Sequence, residues 1–178
     1  MNIEYDRTIQ DVIDFNLFHM SHSSSIKRQL LRMQILTVVL VLPLVFSIFY
    51  LINHTINIFT LIITILSGIL AFVLYPQFSR ESTISRIRKM LGEGSNRAML
   101  GHQVVTFSPE GIFRKNQSTE SKINWSAVEK VVQSDKHFFL YMSSINALEI
   151  PKSCLPSEKE QKDFLEYINA HLQQQPGV

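Results

Sequence analysis

Two apolar stretches decide the fold of this chain: MQILTVVLVLPLVFSIFYLI at residues 33–52 and INIFTLIITILSGILAFVLY at residues 56–75. At about 1.5 Å per residue, a helix over either stretch spans roughly 30 Å, the thickness of a bilayer's hydrocarbon core. The chain has no Asp, Glu, Lys or Arg between residues 33 and 79. Because only residues 53–55 separate the stretches, the sequence predicts an antiparallel transmembrane hairpin over residues 33–75.

A soluble helical hairpin is the alternative interpretation. It needs a large surrounding domain to bury both stretches, and a chain of 178 residues does not supply one. His54, in the turn, is the one ionisable group between the charged flanks apart from tyrosine. Ion pathways and intramembrane active sites usually require buried charged groups, so the sequence disfavours a transporter or an intramembrane enzyme.

The charge distribution predicts the orientation of the hairpin. The turn has no Lys or Arg, whereas basic residues are frequent on both far sides, which places those sides in the cytoplasm. We therefore expect a multi-pass membrane protein with both termini cytoplasmic. Anionic lipid recruitment is the alternative role for these basic residues. The residues are Lys27, Arg28, Arg32, Arg80, Arg86, Arg88 and Lys89.

Small side chains mark one face of the second apolar helix. Thr64, Ser67, Gly68 and Ala71 recur three to four residues apart and allow close helix approach. This face meets either the first helix or a second copy of the protein, so a homodimer through the transmembrane helices stays open. Pro43 predicts a mild kink in the first helix.

Residues 1–32 form a predicted cytosolic N-terminal segment. Residues 2–5 alternate as a short strand, and the capping pattern Thr8 to Asp11 begins an amphipathic helix that extends to about Met20. This helix lies either on the bilayer or on the C-terminal domain. Its acidic residues favour packing on protein.

After the hairpin, the spacing of the apolar residues along the chain changes from that of a helix to that of β-strands. Residues 76–99 predict a juxtamembrane basic helix and linker, and residues 100–178 predict a β domain with a C-terminal helix. The capping box Ser157 to Glu160 begins that helix. Together these features predict an α+β membrane protein, in which a cytosolic antiparallel β-barrel or sheet is capped by a helix, like a pleckstrin-homology domain. The predicted strands are residues 103–107, 112–115, 120–125, 128–134, 138–142 and 147–150.

Several motifs together resemble the YcxB-like family of bacterial membrane proteins. They are the N-terminal stretch IEYDRTIQDVIDFNLFHMSHSSSIKRQ, the two-helix block, and the C-terminal VTFSPEGI, INWSAVEKVVQSDKHFFLYMS and ALEIPKSCL. Trp125, Val128 and Val131, with the sequence 150–152, carry the most recognisable elements. The likeness extends over nearly the whole chain. It implies the architecture above and a location in the bacterial inner (plasma) membrane, and it carries no reaction or catalytic residues.

No constellation of residues predicts a catalytic, cofactor or metal site. His19 and His22 have a spacing suited to a metal but lack a third ligand nearby. Cys154 is the one cysteine, and a net charge of +2 does not suggest a nucleic-acid partner.

Trp125 is the residue with two competing interpretations. The favoured one places its ring in the core between the sheet and the final helix. In the other, Trp125 belongs to a candidate binding surface with Lys122 and Lys152.

The function expected from the sequence is non-enzymatic. The hairpin anchors a small binding or regulatory domain at the inner membrane, where its partners are the bilayer and a protein that the sequence does not identify. The alternative is a membrane immunity protein that protects its host against a toxin acting on the bilayer or envelope.

Overall fold

The computed structural model describes residues 1–94 and 99–173. The chain divides into two compact units: Met1–His19 with Ile87–Val178, here called the β unit, and Met20–Arg86, the hairpin unit. The elements in chain order are β1 Asn2–Arg7, α1 Ile9–His22, α2 Ser24–Asn53, α3 Ile58–Gly92, β2 Gly101–Ser108, β3 Gly111–Asn116, β4 Glu120–Ile123, β5 Lys130–Gln133, β6 His137–Ser143, β7 Asn146–Pro151 and α4 Glu158–Gln173.

The described strands form two antiparallel sheets rather than one closed barrel. The first sheet has the order β1-β2-β3-β4 and the second has the order β5-β6-β7. The turn between β2 and β3 depends on Gly111, whose φ is 139°. A Cβ there would lie 2.8 Å from the carbonyl oxygen of Ile123, so glycine is needed for steric as well as conformational reasons.

Strand β1 comes from before the apolar helices and pairs with β2, which follows them. Their register runs from Asn2 opposite Thr106 to Arg7 opposite Gly101. Ile3 and Tyr5 alternate toward the interior, where both are buried. The β unit is therefore one domain made of two separate stretches of chain.

The core of the β unit lies between the inner faces of the sheets and helix α4. Phe164 of α4 is fully buried. Its ring lies 5.3 Å from that of Phe107 in the first sheet and 5.2 Å from that of Phe138 in the second. The predicted capping box is confirmed, since the Ser157 amide donates to Glu160 and the Glu160 amide donates to the Ser157 hydroxyl.

Helix α1 covers the outer face of the second sheet. The ring of Phe15 lies 5.4 Å from that of Phe139 and 5.9 Å from that of Tyr141. Strand β6 is consequently buried on both faces, which explains its nearly continuous apolar sequence. Of the two predicted locations for α1, the structure shows packing on protein.

The hairpin unit consists mainly of α2 and α3, and by length and composition both helices are able to cross a membrane. Their large apolar side chains point outward: Leu40 is 62% exposed and Phe59 is 70% exposed. Helix α2 is capped at its C-terminus by His54, which takes the left-handed conformation with φ 52°. The Asn57 side chain then accepts a hydrogen bond from the Thr60 amide at the start of α3.

The small-residue face of α3 lies against α2. Gly68 is buried, and a Cβ at this position would come within 2.7 Å of Leu42 in α2. Thr64, Ser67 and Ala71 are also less exposed than their neighbours. The structure thus assigns this face to contact within the hairpin.

The predicted strands and capped helices are observed, but the apolar helices extend beyond their predicted ends: α2 begins at Ser24, and α3 continues through Pro76 to Gly92. Trp125 lies in a 3-10 turn, Trp125–Ala127, rather than at the end of β4. The compact units also differ from the predicted segments 1–32, 33–75, 76–99 and 100–178, because β1 and α1 pack on strands that follow the hairpin. The alternating residues 2–5 did predict the strand, but not its partner.

Removing the N-terminal stretch that carries β1 and α1 should weaken the β unit measurably. A chain joining residues 1–22 to residues 87–178 through a Gly/Ser linker retains Ile3, Tyr5 and Phe15 in the core, whereas the fragment 87–178 loses all three. Burial of a single apolar side chain contributes about 1.5–3 kcal/mol. We expect the joined chain to unfold at a higher urea concentration than the fragment, as followed by Trp125 fluorescence. Equal midpoints would contradict the composite domain.

Candidate functional site

Trp125 lies in the core, as the favoured interpretation predicts. Its side chain is 8% exposed, and its indole Nε1 donates a 2.9 Å hydrogen bond to the carbonyl oxygen of Ser108. The indole stacks on His171 of α4, with a centroid distance of 4.6 Å. A ring enclosed in this way offers little surface to a ligand.

The two lysines predicted beside Trp125 belong to different parts of the β unit, β4 for Lys122 and the 3-10 turn Lys152–Cys154 for Lys152. Lys122 is an exposed residue of β4, with its Nζ 5.4 Å from the centre of the Phe113 ring. Lys152 follows β7, with its Nζ 5.1 Å from the centre of the Phe138 ring. Of the three residues of the predicted surface, Lys122 lines an open groove.

The groove lies on the outer face of the first sheet and has a volume of about 480 Å³. Its lining crosses β2, β3 and β4 in two cross-strand rows. Thr106, Phe113 and Lys122 are aligned in one row. The second row contains Val104, Lys115 and Glu120, and here Lys115 and Glu120 form an ion pair. The groove thus combines an apolar floor with charged margins.

A buried ion pair ties β1 to β7. Arg7 donates to both carboxylate oxygens of Glu149, at 2.9 and 2.8 Å, and the Glu149 side chain is 3% exposed. Burial alone would lower the pKa of Arg7, but the hydrogen bonds and charge of Glu149 outweigh it and raise the pKa. The Tyr5 hydroxyl donates to the backbone oxygen of Glu149, and burial raises the pKa of Tyr5.

A second buried polar contact ties α1 to β6. His137 is 3% exposed, and its Nε2 lies 2.8 Å from Asp11 Oδ1. Burial raises the pKa of Asp11, but hydrogen bonds from His137 and Thr8 dominate and lower it to about 2. The His137 Nδ1 atom is buried without a hydrogen-bond partner among the described residues, so the contact relies on Nε2 alone.

Sequence reasoning missed both contacts because each joins residues more than a hundred positions apart. It noted Asp11 only as a helix cap, which the structure confirms, since the Thr8 amide and hydroxyl both donate to Asp11. One signal was available: Glu149 interrupts the otherwise apolar run Ala147–Pro151. A charge in a buried strand requires a partner.

The remaining predicted residues are the basic residues of the helices and the single cysteine. The basic residues of the helices are exposed, and Arg80 lies 4.0 Å from Glu81. Burial raises the pKa of Cys154, which makes its thiol less nucleophilic at neutral pH. Within residues 1–94 and 99–173, no group of three or more His, Cys, Asp or Glu side chains could hold a metal ion.

The Asp11–His137 contact predicts a pH-dependent contribution to stability. The pKa of Asp11 is about 2 in the folded chain and about 3.8 without the fold. Its contribution is therefore present above pH 4 and is lost as the pH falls toward 2. Asp11→Asn should lower the unfolding free energy at pH 7 by about 1.5–3 kcal/mol, the range for hydrogen bonds to charged groups.

Thermal melts of the unchanged protein and of Asp11→Asn from pH 7 to pH 2.5 test this dependence. The difference between their melting temperatures should become smaller below pH 4. Asp14→Asn is the matched control. Asp14 is on the same helix, but the charged group it approaches, at 3.8 Å, is the exposed Lys136 rather than a buried side chain. That variant should change the stability by less than about 1 kcal/mol. A difference in melting temperature that grows as the pH falls would contradict this prediction, because the contribution of Asp11 would then have the opposite pH dependence.

Comparison with known proteins gives one match. A family model described as YcxB-like protein matches residues 107–168, while no curated protein and no solved structure matches the chain. The matched stretch begins at the end of β2 and includes β3 to β7 and most of α4. It leaves β1, α1 and both apolar helices outside. The chain thus carries, at residues 107–168, a region that matches the YcxB-like family, as its strand motifs predicted.

Proposed function

We propose that this chain is a non-enzymatic two-pass protein of the bacterial inner membrane, and that it presents a cytosolic, pleckstrin-homology-like domain as a binding or regulatory module. The observation that carries the proposal is the pairing of β1 with β2 around the apolar helices. The helices are an insertion between two neighbouring strands of one domain.

The membrane assignment is supported by the surface of the hairpin unit. Large apolar side chains are exposed along both helices, for example Leu51 at 68% and Val73 at 64%. An exposed apolar surface of this extent is unfavourable in water. In a bilayer, the same side chains meet lipid, and the helices satisfy their own backbone hydrogen bonds.

The orientation is supported by two independent arguments. Two crossings return the chain to the side where it started, which is what pairing of β1 with β2 requires. The basic residues flanking the apolar stretches identify that side as the cytoplasm.

The pleckstrin-homology likeness is supported by the strand count and order. Four antiparallel strands, then three, then a C-terminal helix whose Phe164 and Ile168 enter the core are the plan of that fold. The binding role is supported by the open groove around Lys122 in a domain for which the sequence offers no catalytic set.

Cysteine labelling tests the topology. In a Cys154→Ser background, single cysteines replace Ser24, Ser118 or Thr55, and intact cells are treated with a membrane-impermeant thiol reagent. We expect the cysteine at position 55 to react and those at 24 and 118 to be protected until the cells are permeabilised. Labelling at 118 but not at 55 would reverse the orientation, and recovery of the chain in the soluble fraction would exclude the membrane assignment.

A further inference from the structure

Helix α3 contains a proline in its interior. Pro76 lies between the ends of the helix at Ile58 and Gly92. Proline has no backbone N–H, so it cannot donate to the carbonyl oxygen four residues earlier, and its ring crowds that carbonyl. In α3 the carbonyl affected is that of Phe72, which therefore lacks its usual donor within the helix.

Gln34 of α2 supplies a donor to this carbonyl. Its side-chain Nε2 donates a 3.1 Å hydrogen bond to the carbonyl oxygen of Phe72, 38 positions along the chain. Gln34 is half-buried, whereas the next two residues, Ile35 and Leu36, are about half exposed. The one amide side chain in this part of α2 is thus turned toward the point where α3 has lost a hydrogen bond.

The contact lies near one end of both apolar stretches. Gln34 is the second residue of the stretch 33–52, and Phe72 is the fourth residue from the end of the stretch 56–75. At about 1.5 Å per residue, both lie within roughly 5 Å of the same edge of the hydrocarbon layer. Few water molecules can replace the amide there, so an unpaired carbonyl would be costly. This step rests on the membrane location proposed above.

Pro76 also separates two kinds of sequence in α3. Residues 58–75 carry no charged side chain, whereas residues 77–86 include Arg80, Glu81 and Arg86. Helices bend sharply where a proline interrupts the hydrogen-bond ladder. The weakest point of α3 is therefore the junction between its apolar part and its polar part, and the hydrogen bond from α2 is made at that junction.

We propose that Pro76 is a hinge in α3 and that Gln34 is its latch. By holding the carbonyl of Phe72, the Gln34 amide fixes the direction in which the polar part of α3 leaves the membrane, and loss of the amide frees that part to swing. Position 85 is nine residues beyond the proline, or about 13.5 Å along the helix. A bend of about 20° at the hinge would displace it by roughly 5 Å.

Distance measurements between spin labels test the latch. In the Cys154→Ser background, cysteines replace Gln29 of α2 and Ser85 of α3, both exposed. The full chain is labelled and placed in nanodiscs of phosphatidylethanolamine and phosphatidylglycerol, and pulsed electron paramagnetic resonance gives the distribution of label distances. Gln34→Leu removes the donor with little change in size. We expect it to broaden the distribution at least 1.5-fold.

Thr37→Val is the matched control for loss of a polar group. The Thr37 hydroxyl donates to the carbonyl oxygen of Met33 in its own helix, one turn from Gln34. Removing this hydroxyl leaves the contact between the helices in place. The variant should therefore keep the width of the unsubstituted chain.

A second substitution decides whether Gln34 acts through the proline. Pro76→Ala restores a backbone N–H at position 76, so the Phe72 carbonyl regains its donor within α3. In that background, Gln34→Leu should leave the distribution narrow. Pro43→Ala is the control, because the carbonyl that Pro43 affects belongs to Val39 of α2. Combined with Gln34→Leu, it should leave the distribution broad.

Two results would overturn the latch. One is an unchanged width in the Gln34→Leu chain, which would show that this amide does not restrain α3. The other is a broad distribution that persists after Pro76→Ala is added, which would show that Gln34 acts through a different contact. If Gln34→Leu alone fails to enter nanodiscs, entry of the double variant supports the latch and its failure overturns it. Failure of the unsubstituted chain to enter would instead contradict the membrane location.

Discussion

The pairing of β1 with β2 is the constraint on which the rest of this structure depends. It brings Arg7 opposite Gly101 and so closes a loop that contains both apolar helices. The entropic cost of closing a loop grows only with the logarithm of its length, and an antiparallel hairpin within the loop returns the chain toward its start. The insertion is therefore compatible with a stable sheet, and it makes the N-terminal segment part of the domain.

The buried polar contacts make that placement specific. An ion pair such as Arg7–Glu149 adds little net stability, because removing two charges from water costs about as much as their attraction returns. Separating the partners is much more costly, since it leaves an unpaired charge in the interior. The same holds for Asp11, whose low pKa reflects the hydrogen bonds from His137 and Thr8. A shifted β1 or an undocked α1 would break these contacts, so they penalise incorrect arrangements.

Sequence reasoning identified the parts of this fold that are determined locally. The length of the apolar stretches predicted the two long helices, and the alternation of apolar and polar residues predicted the strands. Capping patterns predicted the starts of α1 and α4. Trp125 was correctly expected in the core. Apolar residues recur on both sides of it in the sequence, and the amphipathic final helix offers an apolar face to pack against it. The strand pairing that joins residues 2–7 to residues 101–106 depends on distant contacts that no local period reports. For the same reason, the groove could not be predicted: Val104, Phe113 and Lys122 become neighbours only through the register of three strands.

The edge strands of the first sheet are short or charged, and this limits the aggregation that an exposed sheet could cause. Exposed strands tend to pair with other chains, and proteins limit this with short edges and charged side chains. β4 has four residues, including Glu120 and Lys122, and β1 presents Glu4 and Asp6. These features oppose edge-to-edge growth and leave the face itself available.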